Sequence, residues 1–88
     1  MLFTKNRKPK ISVDEALIVV KKRYPDLKII GCTETTNWYD FDLRTMTGEV
    51  PMISGSPAVN KYTGKYRFFH WSEDDELESE EVLNNYTF

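Results

Sequence analysis

The stretch that decides the fold spans residues 38–71 and reads WYDFDLRTMTGEVPMISGSPAVNKYTGKYRFFHW. At its start, Tyr39, Phe41 and Leu43 alternate with polar residues, and a period of two is typical of a strand with one buried and one solvated face. A hairpin loop is predicted over residues 60–65, because turn-forming residues and a late glycine separate two apolar runs there. The stretch therefore predicts a small antiparallel meander.

The connection over residues 45–57 is predicted to be long and irregular, since glycines and prolines interrupt its apolar residues. A loop of this length either carries function or covers an open end of the sheet. Its apolar residues favour the covering role, and they are Met46, Val50, Met52 and Ile53.

A capping box at Ser12 and Glu15 predicts the start of a helix upstream of the meander. Apolar residues at helical spacing follow the cap, and basic residues 21–23 lie where the helix dipole is negative. Pro25 disfavours helical geometry at the residue before it, so the helix should end by Tyr24. We expect this helix to pack on the sheet; a partner-binding helix would show the same apolar stripe. Residues 27–33 are rich in β-formers and are predicted to be the first strand.

The C-terminal end is predicted to combine an acidic segment, residues 72–81, with a short helix capped by Ser79. Val82, Leu83 and Tyr86 would form the apolar edge of that helix. The predicted fold class is thus α+β, with one N-terminal helix packed on an antiparallel meander of three to four strands and a short C-terminal helix. A basic arm, residues 1–11, precedes a single domain over residues 12–88.

The composition supports one small folded domain. With 88 residues, 40% of them apolar and 14% aromatic, the chain can build a single core. The only cysteine, Cys32, excludes an internal disulfide and fits a reducing compartment. No run has the length of a signal-peptide core or a membrane span, so we expect a soluble, cytoplasmic protein that does not engage membranes.

Charge is divided unevenly along the chain. Residues 1–30 hold eight basic and three acidic side chains, whereas residues 31–88 hold four basic and eleven acidic ones. The basic arm could contact nucleic acid, but the acidic remainder would repel phosphates. We therefore expect a solvated arm and no direct nucleic-acid binding.

The residues offer no catalytic constellation, so the sequence predicts a protein that is not an enzyme and needs no cofactor. A nucleophilic triad or a zinc site would have to use His70, the only histidine, which lies in a predicted strand. Cys32 has no neighbouring base to activate it. Asp40 and Asp42 project to one side of a strand, roughly 7 Å apart, and could serve acid-base chemistry, but exposed strand carboxylates are the expected interpretation.

The most distinctive feature of the sequence is a predicted acidic surface flanked by an aromatic residue. A basic protein could bind there, because long-range attraction raises the association rate and a buried ring supplies affinity. A solvated face that keeps a small protein in solution explains the same residues equally well. The predicted partner-binding residues are Trp71, Glu73, Asp74, Asp75, Glu76, Glu78, Glu80 and Glu81.

The order of motifs also carries a family resemblance. After the short amphipathic helix come Asn37-Trp38-Tyr39-x-Phe41, Thr47-Gly48, Gly55-x-Pro57-x-Val59-x-Lys61-x-Thr63-Gly64-Lys65 and, past the acidic residues, Leu83-x-x-Tyr86. In this order the chain resembles the YrhB-like immunity proteins of bacterial polymorphic-toxin systems and the wider set of small PepSY-like domains of bacteria and phages.

The resemblance implies an α+β fold, no cofactor, and a non-enzymatic role in which the protein binds a cognate toxin and blocks it. The chain departs from the family pattern in its basic arm and its shorter loop before Pro57. A phage-encoded inhibitor of a host nuclease or defence protein, acting as an acidic nucleic-acid mimic, therefore stays open. A third possibility is a structural protein whose sheet edge pairs with another copy.

Overall fold

The computed structural model describes residues 8–70 and 79–88. Five strands form one antiparallel sheet in the order β4-β3-β2-β1-β5. The elements are α1 (Val13–Arg23), β1 (Lys28–Thr35), β2 (Trp38–Arg44), β3 (Gly55–Asn60), β4 (Tyr66–His70) and β5 (Val82–Thr87). The first four strands follow one another as neighbours, and β5 joins the far edge beside β1.

The predicted sheet of three to four strands with a C-terminal helix was wrong. The sheet has five strands, and the residues assigned to that helix form β5, with Ser79 in a turn before it. Two successive asparagines, Asn84 and Asn85, are poor helix formers. The open edge of β1 offers backbone partners from Gly31 to Thr35. The fold is therefore mostly β, because a tertiary pairing outweighed a local helix signal.

The N-terminal helix has the cap that the sequence predicts. The Ser12 hydroxyl accepts a hydrogen bond from the Glu15 amide at 3.2 Å, and the Ser12 amide donates to the Glu15 carboxylate at 2.9 Å. The helix ends at Arg23, and the amide of Tyr24 donates to the Val20 carbonyl at its C-cap. Side chains therefore cap the start of the helix, and a backbone amide caps its end.

The main core lies between α1 and one face of the sheet. The alternating residues of β2 point into it as expected, since Tyr39, Phe41 and Leu43 are all buried. A smaller cluster occupies the opposite face, where Trp38 and Phe69 meet edge to face with ring centroids 4.8 Å apart. The buried residues of the main core are Ala16, Val20, Ile29, Cys32, Tyr39, Phe41, Leu43 and Val59.

The connection between β2 and β3 is shorter than the sequence predicts, and most of its apolar residues do not cover the sheet. β3 begins at Gly55, within the segment assigned to the loop. Ile53 packs against the core, but Met46, Val50 and Met52 are all exposed. The covering role that we expected for these four residues therefore holds for Ile53 alone.

The end of the basic arm is docked on the β3–β4 turn. The amide of Lys10 donates to the Lys61 carbonyl at 2.7 Å, and the Tyr39 hydroxyl donates to the Ile11 carbonyl at 3.1 Å. Ile11 also packs against the main core. The chain therefore enters the helix from a fixed position beside the turn at Lys61.

Replacement of Gly55 should disrupt the pairing of β3 with β4. A Cβ atom at this position would lie 2.0 Å from the carbonyl oxygen of Phe69, which is backbone and cannot rotate away. We expect Gly55→Ala to lower the free energy of unfolding by about 2 kcal/mol, as overpacking does. Urea titration measures the loss. The neighbouring exposed Ser54→Ala is the control, and an equal effect of the two changes would contradict this account.

Candidate protein-binding surface

Four polar side chains form a hydrogen-bonded cluster that links β5 to β1 and to the β3–β4 turn. The Lys61 ammonium lies 2.6 Å from the Glu34 carboxylate and donates to the Thr35 carbonyl at 3.1 Å. The same carboxylate accepts from the Tyr86 hydroxyl at 2.8 Å and from the Asn84 amide at 3.2 Å. We call Glu34, Lys61, Asn84 and Tyr86 the Glu34 cluster. It joins β1, the β3–β4 turn and β5 through side chains.

The ion pair within the Glu34 cluster, between Lys61 and Glu34, is largely desolvated. The side chain of Lys61 is 3% exposed and that of Glu34 is 12% exposed. Burial alone would raise the pKa of Glu34, but the hydrogen bonds from Lys61, Tyr86 and Asn84 and the charge of Lys61 outweigh it, so the pKa is lowered. A buried charge pair is tolerated when further hydrogen bonds satisfy it, and this carboxylate has three donors.

A second carboxylate, that of Glu80, fixes the chain where it enters β5. It accepts hydrogen bonds from the Thr35 hydroxyl at 2.7 Å, the Asn37 backbone amide at 2.9 Å and the Asn37 side-chain amide at 2.8 Å. These bonds outweigh burial and lower the pKa of Glu80. Glu80 therefore ties the end of the acidic segment to the β1–β2 turn.

The predicted partner-binding residues fall into two groups. Glu80 and Glu81 are within the described residues, and they lie together at the entry to β5. Glu81 is exposed, whereas the Glu80 carboxylate makes the hydrogen bonds to the β1–β2 turn. The others lie outside the described residues, and they are Trp71, Glu73, Asp74, Asp75, Glu76 and Glu78.

The strand that follows is the most exposed strand of the sheet. Of its six residues only Tyr86 is partly buried. Val82 and Leu83 are 54% and 46% exposed, and Phe88, the residue after the strand, is 46% exposed. Residues 82–87 include no charged residue and no proline, two features that often protect edge strands. Apolar side chains and the last strand of the described part of the sheet thus lie beside Glu80 and Glu81.

The two aspartates of β2 differ in environment. Asp40 is partly buried on the sheet face opposite the helix, where burial, together with the charge of Asp42, raises its pKa to about 6 despite a hydrogen bond from Ser56. One oxygen of Asp40 is buried without a hydrogen-bond partner. Asp42 is exposed and pairs with Arg44. The expectation of two exposed carboxylates is therefore correct for Asp42 alone.

The remaining reactive side chains do not converge. Burial, followed by the charges of Asp40 and Glu34, raises the pKa of the Cys32 thiol to about 12, so the thiol stays protonated at neutral pH. The ring of His70 meets that of Phe68 at 5.0 Å. Over residues 8–70 and 79–88, no group of three or more His, Cys, Asp or Glu could hold a metal ion. Within the same ranges, no helix is long and apolar enough to cross a membrane.

Comparison with known proteins adds no relative: no protein-family model, curated protein or solved structure shows significant similarity to this chain. The resemblance to YrhB-like immunity proteins and PepSY-like domains therefore stays a prediction from short motifs.

Sequence reasoning missed the Glu34 cluster. It ended the first predicted strand at Thr33, before Glu34, and placed Lys61 in a hairpin loop. No local pattern links residues so far apart in the chain. One signal was present, because a strand extended past Thr33 puts Glu34 on the same face as Cys32. The partner of that carboxylate could only come from tertiary structure.

Removal of one member of the ion pair should destabilise the fold strongly. Lys61→Met leaves the Glu34 carboxylate without its cation, and we expect a loss of about 3 kcal/mol in the free energy of unfolding. The double variant Lys61→Met/Glu34→Gln should lose less than the sum of the two single changes, because no unpaired charge remains. Urea titration measures all three, with the exposed Lys65→Met as control. A Lys61→Met effect no larger than the control would contradict the buried pair.

Stability should reach its maximum between about pH 4 and pH 5, where the opposing titrations of Asp40 and of Glu34 and Glu80 balance. The pKa of Asp40 is raised to about 6 from an ordinary 3.8, so its stabilising contribution is full below the ordinary value and is lost as pH rises through 6. The pKa values of Glu34 and Glu80 lie below the ordinary 4.5, so their contributions are present above 4.5 and are lost as pH falls.

The variant Asp40→Asn should remove the decline between about pH 4 and pH 6 and add about 1 kcal/mol at pH 7, because the uncompensated buried charge is gone. Urea titrations between pH 3 and pH 8 measure both profiles, with Asp26→Asn as an exposed control. Wild-type stability that keeps rising from pH 5 to pH 7 would refute the assignment to Asp40.

Proposed function

We propose that this chain is a non-enzymatic binding protein that neutralises a cognate basic protein, in the manner of an immunity-type toxin inhibitor. The binding surface is the acidic segment together with the entry to β5. The observation that carries the proposal is the set of hydrogen bonds between the Glu80 carboxylate and the β1–β2 turn, which fixes one end of the acidic segment on the sheet. An anchored surface loses less conformational entropy on binding than a free one.

The chemistry around this anchor suits a protein partner with a basic surface. Seven carboxylates lie within residues 73–81, and a concentration of one sign of charge steers an oppositely charged partner toward the site. Val82 and Leu83, both about half exposed, follow directly and can supply apolar contact at the centre of an interface. A toxin domain or a nuclease with a cationic active site would present the complementary charge. A cytoplasmic location goes with this proposal.

Loss of acidic charge should weaken capture of the partner. The test variant is Glu73→Gln/Asp74→Asn/Asp75→Asn, and the matched control, Asp14→Asn/Asp26→Asn/Glu49→Gln, removes the same charge from exposed positions elsewhere. We expect the test variant to bind about tenfold more weakly and with a shallower salt dependence, since interfacial ion pairs contribute on the order of 0.2–1 kcal/mol each. The control should bind like the wild type.

The measurement is affinity capture from a bacterial lysate at low and high salt, followed by calorimetry with the captured protein. Capture that is insensitive to salt and equal for both variants would sink the acidic-surface proposal. Added duplex DNA distinguishes the alternative: a captured nuclease that DNA displaces indicates a nucleic-acid mimic, whereas a toxin that DNA leaves bound indicates an immunity protein.

A further inference from the structure

Among the described residues, 8–70 and 79–88, no strand pairs with the outer side of β5, which ends the sheet beside β1. The amide of Phe88 donates to the Ile30 carbonyl at 3.0 Å, and Tyr86 and Asn84 continue the same register with Cys32 and Glu34. In an antiparallel pair, successive residues direct their N–H and C=O groups alternately toward and away from the neighbouring strand. The backbone groups of Asn85 and Thr87 therefore point away from β1.

The regular part of this edge has defined limits. Asn84 pairs with Glu34 but Val82 pairs with the next residue of β1, Thr35, so Leu83 is the extra residue of a bulge in β5. The even ladder therefore spans Asn84 to Phe88. This section includes no charged side chain and no proline. The strand at the opposite edge, β4, carries Arg67 and His70. The Asn84–Phe88 edge is thus the less protected of the two against strand addition.

We propose that the Asn84–Phe88 edge pairs antiparallel with the same edge of a second copy, forming a continuous ten-stranded sheet. A two-fold axis that uses all five regular residues must pass through Tyr86. Asn85 then faces Thr87 of the second copy, and each of these pairs exchanges two backbone hydrogen bonds through groups that already point outward. A closed two-fold contact leaves no further edge for growth on this side.

The side chains are compatible with this register. Tyr86 meets its own symmetry copy in a non-hydrogen-bonded pair, where side chains are closest and aromatic pairs are favourable. The Tyr86 hydroxyl donates to Glu34 on β1, so its ring leans toward β1 and does not obstruct the approach of the second copy. Glu80 and Glu81 precede the bulge and lie outside the paired segment, so like charges do not face one another across the axis.

The expected dimer is weak. Five paired residues on each side bury less than the roughly 1,200 Å² at the lower limit of standard interfaces, so we expect a dissociation constant on the order of 100 μM. The inference rests on the strand edge and does not depend on the acidic surface. The neutral variant Glu73→Gln/Asp74→Asn/Asp75→Asn should therefore dimerise like the wild type, which separates this inference from the proposed function.

Sedimentation velocity of the full chain between 10 μM and 1 mM tests the pairing. The variant Thr87→Pro removes an outward N–H without removing a bond to β1, and the control Thr87→Val keeps that N–H. We expect the dimer fraction to rise with concentration in the wild type and in Thr87→Val, and the Thr87→Pro variant to stay monomeric with an unchanged melting temperature. A wild type that is monomeric at 1 mM, even one that takes up a strand of another protein, would overturn the proposal.

Cysteine crosslinking tests the register independently of proline. In a non-hydrogen-bonded pair the Cα atoms lie about 4.5 Å apart, which is within the range that a disulfide spans. Because Tyr86→Cys also removes the hydroxyl that donates to Glu34, Tyr86→Phe is its control and should still dimerise in sedimentation. Tyr86→Cys should then form a disulfide-linked dimer under mild oxidation, whereas Asn85→Cys, which faces Thr87 of the second copy, should not. The buried Cys32 is the same in both variants. Equal crosslinking of the two variants, or a dimer that survives Thr87→Pro, would rule out this axis.

Discussion

The fold depends on a buried ion pair between Lys61 and Glu34. Two charges lose most of their hydration there, and such a loss is recovered only when every remaining donor and acceptor finds a partner. Tyr86 and Asn84 donate hydrogen bonds to the Glu34 carboxylate, and the Thr35 carbonyl accepts one from the Lys61 ammonium. The last strand is therefore required for the pair to be satisfied, and the pair in turn fixes the strand.

This arrangement explains how an exposed strand can be well defined. β5 buries little apolar surface, so the hydrophobic effect alone gives it little reason to stay at the edge. Two carboxylates supply the stabilisation that apolar burial does not. Glu34 accepts a hydrogen bond from Tyr86 in the strand, and Glu80, just before the strand, accepts one from Thr35. Charge-assisted hydrogen bonds are stronger than neutral ones, and they leave the apolar side chains of β5 available at the surface.

A feature could be predicted from the sequence when the residues that determine it lie close together in the chain, and it was missed when they lie far apart. The helix was predictable because its capping box spans three residues, and β2 because Tyr39, Phe41 and Leu43 alternate locally. β5 was assigned as a helix because Ser79 looks like a cap, while its actual partner lies about fifty residues earlier in β1. The Glu34 cluster was missed for the same reason. Local patterns report periodicity and caps, and they do not report which distant backbone or charge completes a pair.

The bulge at the start of β5 separates two surfaces with different chemistry. Before it, Glu80 and Glu81 end a segment whose charge attracts basic partners and repels its own copy. After it, Asn84 to Phe88 form an uncharged edge on which a second copy can align. A bulge inserts one residue and turns the strand locally, so the carboxylates do not continue along the pairing edge. The same irregularity that limits the ladder would thus let the proposed partner binding and the proposed self-pairing use neighbouring parts of one strand without electrostatic conflict.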